Sequence, residues 1–277
     1  MPEPASPASG PHAPALPPVF LINMARDVER RRLMTERLEA IGLPFTVVEA
    51  VVGAGLDLDA CAHYDGPRRR RFFGRDMTPG EVGCLLSHRA IMQRMIDENL
   101  PAAVILEDDV IFEPDFPDVL RALTGGGRRW DIIRFLGSEK IYRLGRRLIA
   151  PLVGRYWLAR IPGTHGGAHA YLLSQDAARA LLAHTDRAWM PIDTMQGRCW
   201  TTGLESLVVH PCPLRTDPAA GSTIEDKRFD KTLRLSGFDR ALYPLRRFAF
   251  KLGETLGKRA VWWGSWWRDG RGRLERG

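Results

Sequence analysis

Residues 78–116 read TPGEVGCLLSHRAIMQRMIDENLPAAVILEDDVIFEPDF, and this stretch sets the expected fold. Thr78, Pro79 and Glu81 occupy the N-cap, first and third positions of a helix. That is a capping box, with proline where its missing N–H goes unneeded. Val82, Leu85, Leu86, Met92, Met95 and Ile96 then supply one apolar helical face, and Asn99 and Pro101 end it. Residues 102–106 are short and apolar on both faces, as in a central strand covered on both sides. The strand runs straight into Glu107, Asp108 and Asp109.

Toward the N-terminus, residues 19–22 read as a buried strand. Asp27 is placed to cap a helix carrying Met34, Leu38 and Ile41, which Gly42 and Pro44 stop, and residues 45–52 form a second strand. This β-α-β opening predicts an α/β fold with a mainly parallel sheet flanked by helices. Residues 53–77 read as irregular, with an arginine run from Arg68 to Arg71. That run is either a grip for acceptor phosphates or a solvated basic loop. Toward the C-terminus, strands are expected at 130–136, 168–173 and, as the last one, 204–209. Ser174 caps a helix carrying Leu181 and Leu182. Residues 137–166 lack periodicity and read as one long loop, a lid or acceptor site. The expected organisation is a disordered tail at 1–18, one domain at 19–226 and a basic, Trp-rich extension at 227–277.

The 277 residues are 44% hydrophobic and 26% charged, enough to bury a real core, and the net charge is +7. A basic surface attracts phosphates, nucleic acid or anionic lipid without choosing among them. Cys61, Cys84, Cys199 and Cys212 are scattered, with no zinc-site spacing, and read as reduced thiols. No signal peptide and no apolar run of about 18 residues is legible. The expectation is a cytoplasmic protein. Trp262, Trp263, Trp266 and Trp267 among Arg and Lys suggest peripheral contact with an anionic membrane, or else a cap on the domain.

Three carboxylates at the end of a buried strand repel one another unless a cation or solvent is close. Ligands of α/β sheets bind at the carboxyl ends of strands, and Mg²⁺ or Mn²⁺ there can bridge carboxylates and a diphosphate. The bland alternative is a solvated turn.

The block at 78–116 resembles the bacterial lipooligosaccharide galactosyltransferases of glycosyltransferase family 25. Gly80-Glu81-Val82-Gly83-Cys84 with Leu86-Ser87-His88, and Leu106-Glu107-Asp108-Asp109 with Phe116, carry the likeness. Ile22-Asn23 with Arg26 and Arg30, then Gly167, Ala170-Tyr171, Ser174 and Pro191-Ile192-Asp193, extend it over residues 19–225. The resemblance implies a GT-A type, Rossmann-like domain, a divalent metal, a UDP-sugar donor (usually UDP-galactose) and transfer with inversion. The acceptor implied is a lipopolysaccharide or other surface glycan hydroxyl, at the inner face of a bacterial inner membrane.

On that reading Asp109, with Glu107 or Asp108, holds Mn²⁺ or Mg²⁺, and one of the acids instead binds the ribose. Asp193 is the base that takes the acceptor proton, with Glu205 as the fallback. Asn23, Arg26 and Arg30 follow the first strand, where nucleotide and phosphate would sit. Ser87 and His88 lie on the capped helix; His88 contacts a substrate or is a structural histidine. Of His165, His169 and His210, the last stands best to complete a metal shell, at the end of the expected last strand. Other readings stay open: another nucleotide-sugar donor, a family member without turnover, or a basic nucleic-acid binder. No nucleic-acid module is legible, so nucleic acid is not an expected partner.

Overall fold

The structure, a computed structural model, describes residues 16–137, 145–163, 165–219, 233–269 and 273–275; the expected tail lies, up to residue 15, outside them. Val19–Asn23 forms strand β1, whose side chains alternate between two cores. Val19 and Leu21 join Met34 and Leu38 of α1 (Val28–Ala40) and Phe116 and Leu120 of α4 (Phe116–Gly125). Phe20 and Ile22 join Leu85 and Met92 of α3 (Pro79–Asp97) and Leu181 of α5 (Gln175–His184). In β3 (Ala102–Leu106), Val104 and Leu106 belong to the first core, and Ala103 and Ile105 to the second. The sheet is thus buried on both faces between helical layers, and its central strands read as continuous apolar runs for that reason.

The remaining strands of this sheet are β2 (Thr46–Glu49), β5 (Ile132–Arg134), β6 (Arg146–Pro151), β7 (Trp157–Arg160), β8 (Ala170–Ser174), β9 (Ser206–His210) and β11 (Arg273–Glu275). Their order is β11-β6-β7-β9-β5-β8-β3-β1-β2. Six of the nine strands point the same way, so the expected mainly parallel sheet is present in strand direction. Neighbour pairing is different: β1 is parallel to β2 and β3, and β5 to β9, but the other five pairs are antiparallel. Reversed strands need only short connections, as between β6 and β7. A small second sheet pairs β4 (Val110–Phe112) with β10 (Leu214–Thr216), so the strand near 204–209 is not the last.

The capping box of α3 forms as expected. Glu81 N–H donates to Thr78 Oγ1 at 3.1 Å, and Thr78 N–H to Glu81 Oε2 at 2.8 Å. The start of α3 presses on the loop after β2. A Cβ on Gly83 would lie 2.6 Å from the Val51 carbonyl oxygen, and one on Gly53 2.1 Å from that of Pro79. Two backbones meet there, which leaves no room for a side chain. Ser87 fixes the same contact, accepting from Val51 N–H at 2.8 Å and donating to Gly83 O at 2.8 Å. Asp27 holds the N-cap position of α1, but its side chain makes no cap hydrogen bond.

Three regions differ from expectation. Residues 53–77 contain α2 (Gly66–Phe73), capped by Asp65 and ended by Gly74 in the left-handed conformation. Its arginines are not a loop: Arg69 is buried, Arg70 pairs with Asp76, and Arg68 stacks on Trp189 at 4.5 Å. The expected long loop holds the β6–β7 hairpin; residues 138–144 and 164 of it lie outside the described residues. The C-terminal extension is one long helix, α8 (Gly237–Gly264), followed by the edge strand β11 of the same sheet. Between them Asp269 is buried with two arginines, accepting from Arg147 at 2.8 Å and from Arg160 at 2.8 and 3.0 Å. Trp262 and Trp266 lie over the Arg147 guanidinium, 4.4 and 4.5 Å away. These buried charges are tolerated because each has a partner.

Candidate functional site

β1 and β3 end side by side, and a cleft of about 650 Å³ opens beyond them. That is the usual place and size for a small-molecule site on an α/β sheet. Asn23, Glu107, Asp109, His169 and Asp193 all stand on its walls.

Strand register brings His169 to the acids. β8 runs antiparallel to β3 with Ala170 opposite Leu106. The residue before β8 therefore stands beside the residue after β3, and Glu107 N–H donates to His169 O at 2.7 Å. His169 Nδ1 lies 3.1 Å from Asp109 Oδ2 and 3.4 Å from Glu107 Oε2. One ligand atom from each of Glu107, Asp109 and His169 lies within 4.8 Å of the others, a spacing able to hold an ion. Two carboxylates and one imidazole suit Mn²⁺ better than Mg²⁺, which prefers oxygen throughout.

Charges at this point are strongly coupled. Burial works against ionisation of Glu107, but hydrogen bonds from His169 and His88 outweigh it and hold its carboxyl well below the usual range. Burial likewise works against a charge on His169, yet its hydrogen bonds to Asp109 and Glu107 push its pKa up to about 10. Without an ion, the imidazolium balances the carboxylates. Its contribution to stability is full below the unfolded histidine value and is lost as pH rises through the raised one. An arriving divalent ion needs the neutral ring, so its binding expels about one proton. Calorimetric titration of metal-free protein with Mn²⁺ at neutral pH, repeated in buffers of different ionisation enthalpy, is expected to show that release. His169→Ala should abolish it and weaken Mn²⁺ binding by about tenfold or more. A release unchanged in His169→Ala would remove His169 from the ion site.

His88 is fully buried behind Glu107. Its Nδ1 lies 2.8 Å from the Tyr171 hydroxyl and its Nε2 3.2 Å from Glu107 Oε1. One tautomer satisfies both contacts: Tyr171 donates to Nδ1, and Nε2–H donates to Glu107. His88 lines the cleft, and its hydrogen bond orients Glu107. Asp108 turns the other way. Its Oδ1 accepts from Arg30 and its Oδ2 from Asn23, each at 2.7 Å. Asn23 and Arg30 do reach the cleft, where they tie Asp108 to the end of β1 and to α1. Asp109 is paired with Glu107, not with Asp108, at the candidate ion site.

Asp193 lies in the first turn of the short helix α6 (Ile192–Gly197) and lines the same cleft. Its Oδ2 accepts from Gly167 N–H at 2.9 Å, and its Oδ1 from the Thr194 hydroxyl at 3.2 Å. Arg134, buried in β5, donates to the carbonyls of His165 and Gly167 at 2.8 Å each. Arg134 and Asp193 together fix the segment that delivers His169. The sequence signal for Arg134 was a lone charge within the apolar run Ile132-Ile133-Arg134-Phe135.

Three other expected residues, His210, Glu205 and Arg26, lie off the cleft wall. His210 ends β9, with β8 and β5 between it and β3, and at about 4.8 Å per strand it stands roughly 14 Å to the side. It is not on the cleft wall, and among the three late histidines His169 joins the acids. Glu205 precedes β9, at the opposite end of the strands from the cleft, and pairs with Arg160 and Arg268. The Arg26 side chain is 61% exposed, off the cleft wall and nearest Asp27. Ser87 lines the cleft, but its hydroxyl is spent on the backbone contacts given above.

Residues 16–196 match the sequence profile of glycosyltransferase family 25 (LPS biosynthesis protein). A Rattus norvegicus protein named probable inactive glycosyltransferase 25 family member 3 is 29% identical over 227 residues, covering 74% of this chain and 39% of its own length. Inactive glycosyltransferase 25 family member 3 of Homo sapiens is 31% identical over 188 residues, covering 63% of this chain and 30% of its own. Procollagen galactosyltransferase 1-B of Xenopus laevis is 33% identical over 135 residues, 44% of this chain and 21% of its own. The chain thus spans well under half the length of these curated relatives. Asn23, Glu107, Asp109, His169 and Asp193 all fall inside the stretch matched by the profile, and α8 lies beyond it.

Proposed function

Starting from the fact that this chain belongs to glycosyltransferase family 25, we propose that it moves a sugar, galactose first among candidates, from a UDP-sugar to a hydroxyl of a surface glycan, with a divalent metal and inversion. The observation that carries this is the meeting of Glu107, Asp109 and His169 in a cleft that Asp193 also lines. Galactose and a lipopolysaccharide or similar acceptor rest on the sequence resemblance and on the words of the family description and of the Xenopus relative's name.

Glu107, Asp109 and His169 would hold Mn²⁺, which when bound supplies positive charge against a leaving diphosphate. His88 keeps Glu107 ionised and aimed, and Asn23 with Arg30 holds Asp108 clear of the ion. Asp193 takes the proton of the acceptor hydroxyl as its oxygen attacks the anomeric carbon. The Gly167 N–H and the Thr194 hydroxyl set the orientation of that carboxylate.

The names of the rat and human relatives favour a second reading, a member that binds its ligand without turnover. Calorimetric titration with UDP-galactose, UDP-glucose, UDP-N-acetylglucosamine and UDP, each with Mn²⁺ and with EDTA, tests the first reading. Metal-dependent binding of one UDP-sugar, followed by its hydrolysis or transfer, is expected. Binding without any turnover would favour the second reading, and no metal-dependent binding would overturn the first.

A further inference from the structure

Helix α8 carries an apolar stripe that no described residue covers. Phe238, Leu245, Phe248, Leu252, Leu256 and Trp263 are each 48–74% exposed. Their steps of three, four and seven residues place them on one face of the helix. Trp267, just past the helix end, is 90% exposed and continues the stripe. An apolar surface this continuous marks an interaction site.

Charge selects the partner. Arg240 and Lys258 are spaced along one flank of the stripe, Lys251 between them is paired with Glu254, and the exposed Arg259 lies near the Trp263 end. The two acids of the helix are neutralised: Asp239 pairs with Arg246, and the buried Glu254 with Arg198 and Lys251. The partner must therefore offer apolar depth and negative charge together. A second copy would set like-charged edges against each other. No described helix is long and apolar enough to cross a membrane, and α8 has the make-up of a helix that lies in the plane of one.

We propose that α8 docks this protein on an anionic lipid bilayer, with Phe238 to Trp263 and Trp267 in the headgroup–acyl boundary and the arginine–lysine edge on lipid phosphates. Only half of the tryptophan cluster takes part, because Trp262 and Trp266 turn inward onto Arg147. α8 is also locked to the cleft. Gly257 passes so close to the Trp200 indole that a Cβ there would lie 2.4 Å from it, Arg198 bonds Glu254, and α7 (Cys199–Thr202) packs in turn on α6. A seated α8 is thus joined through α7 and α6 to the helix that carries Asp193, the link by which a lipid-linked acceptor would be served; this last step rests on the transferase reading.

The test is co-sedimentation of the full chain with vesicles of equal parts phosphatidylglycerol and phosphatidylcholine, and with phosphatidylcholine alone. The wild type is expected on the anionic vesicles, less so at high salt. Leu245→Glu with Leu252→Glu should lower partitioning by about tenfold or more while keeping the melting temperature, since both side chains face out. Trp267→Ser, beyond the helix, should lower it as well and guards against misfolding of the double variant. Equal partitioning of wild type and both variants, or none by the wild type, overturns the proposal. So does a wild-type dimer, seen by sedimentation velocity, that the double variant loses. UDP-sugar titration of the same proteins separates the two ideas: lost vesicle binding with intact donor binding leaves the transferase reading standing.

Discussion

Asp109→Asn is expected to lower sugar transfer by about a thousandfold or more and to erase the Mn²⁺ dependence of UDP binding. The substitution keeps the side-chain shape and removes one charge. Asp109 stands within 3.2 Å of His169 Nδ1 through both oxygens, so no other carboxylate can replace it at that position. Asp108 is turned toward Asn23 and Arg30, and swinging it inward would break both of those bonds. Metal-free stability at neutral pH should fall as well, because Asp109 helps to hold the His169 imidazolium. Steady-state transfer assays and calorimetry with UDP and Mn²⁺ read the outcome. Full activity in Asp109→Asn would remove the acidic cluster from the mechanism.

Asp193→Asn should slow transfer by about a hundredfold to ten thousandfold while leaving the dissociation constant of UDP-sugar unchanged. Asparagine is the informative choice. Its amide oxygen can still accept from Gly167 N–H, so the segment carrying His169 stays in place. Alanine would release that segment and confuse loss of a base with loss of an ion site. The loss should fall on kcat and leave KM for the donor unchanged, a split that a purely structural role would not produce. A normal rate in Asp193→Asn would hand proton removal to another group.

Much of the central architecture was legible because single residues dictated it. Thr78, Pro79 and Glu81 fixed the start of α3, and the apolar run before Glu107 fixed β3. The position of His169 was not legible. Had β8 run parallel to β3, Ser174 and not His169 would have stood beside the acids, and periodicity is blind to strand direction. The β6–β7 hairpin hid for a different reason. Arg147 and Arg160 occupy buried positions where apolar residues were needed for a recognisable pattern, and their partner Asp269 lies far along the chain. α2 was obscured by its arginines, although Pro67 and Gly74 mark its two ends.

The buried Arg147–Asp269 pair joins positions 122 residues apart. Translation is vectorial, so β6 emerges from the ribosome long before its outer neighbour β11 exists. Through that interval the nascent chain shows an unpaired strand edge and an arginine with no counter-charge at its final site. Unpaired edges recruit other strands, and a cation cannot be sealed in alone. The outer third of the sheet must therefore close late, and the growing polypeptide is a natural client for chaperones until it does.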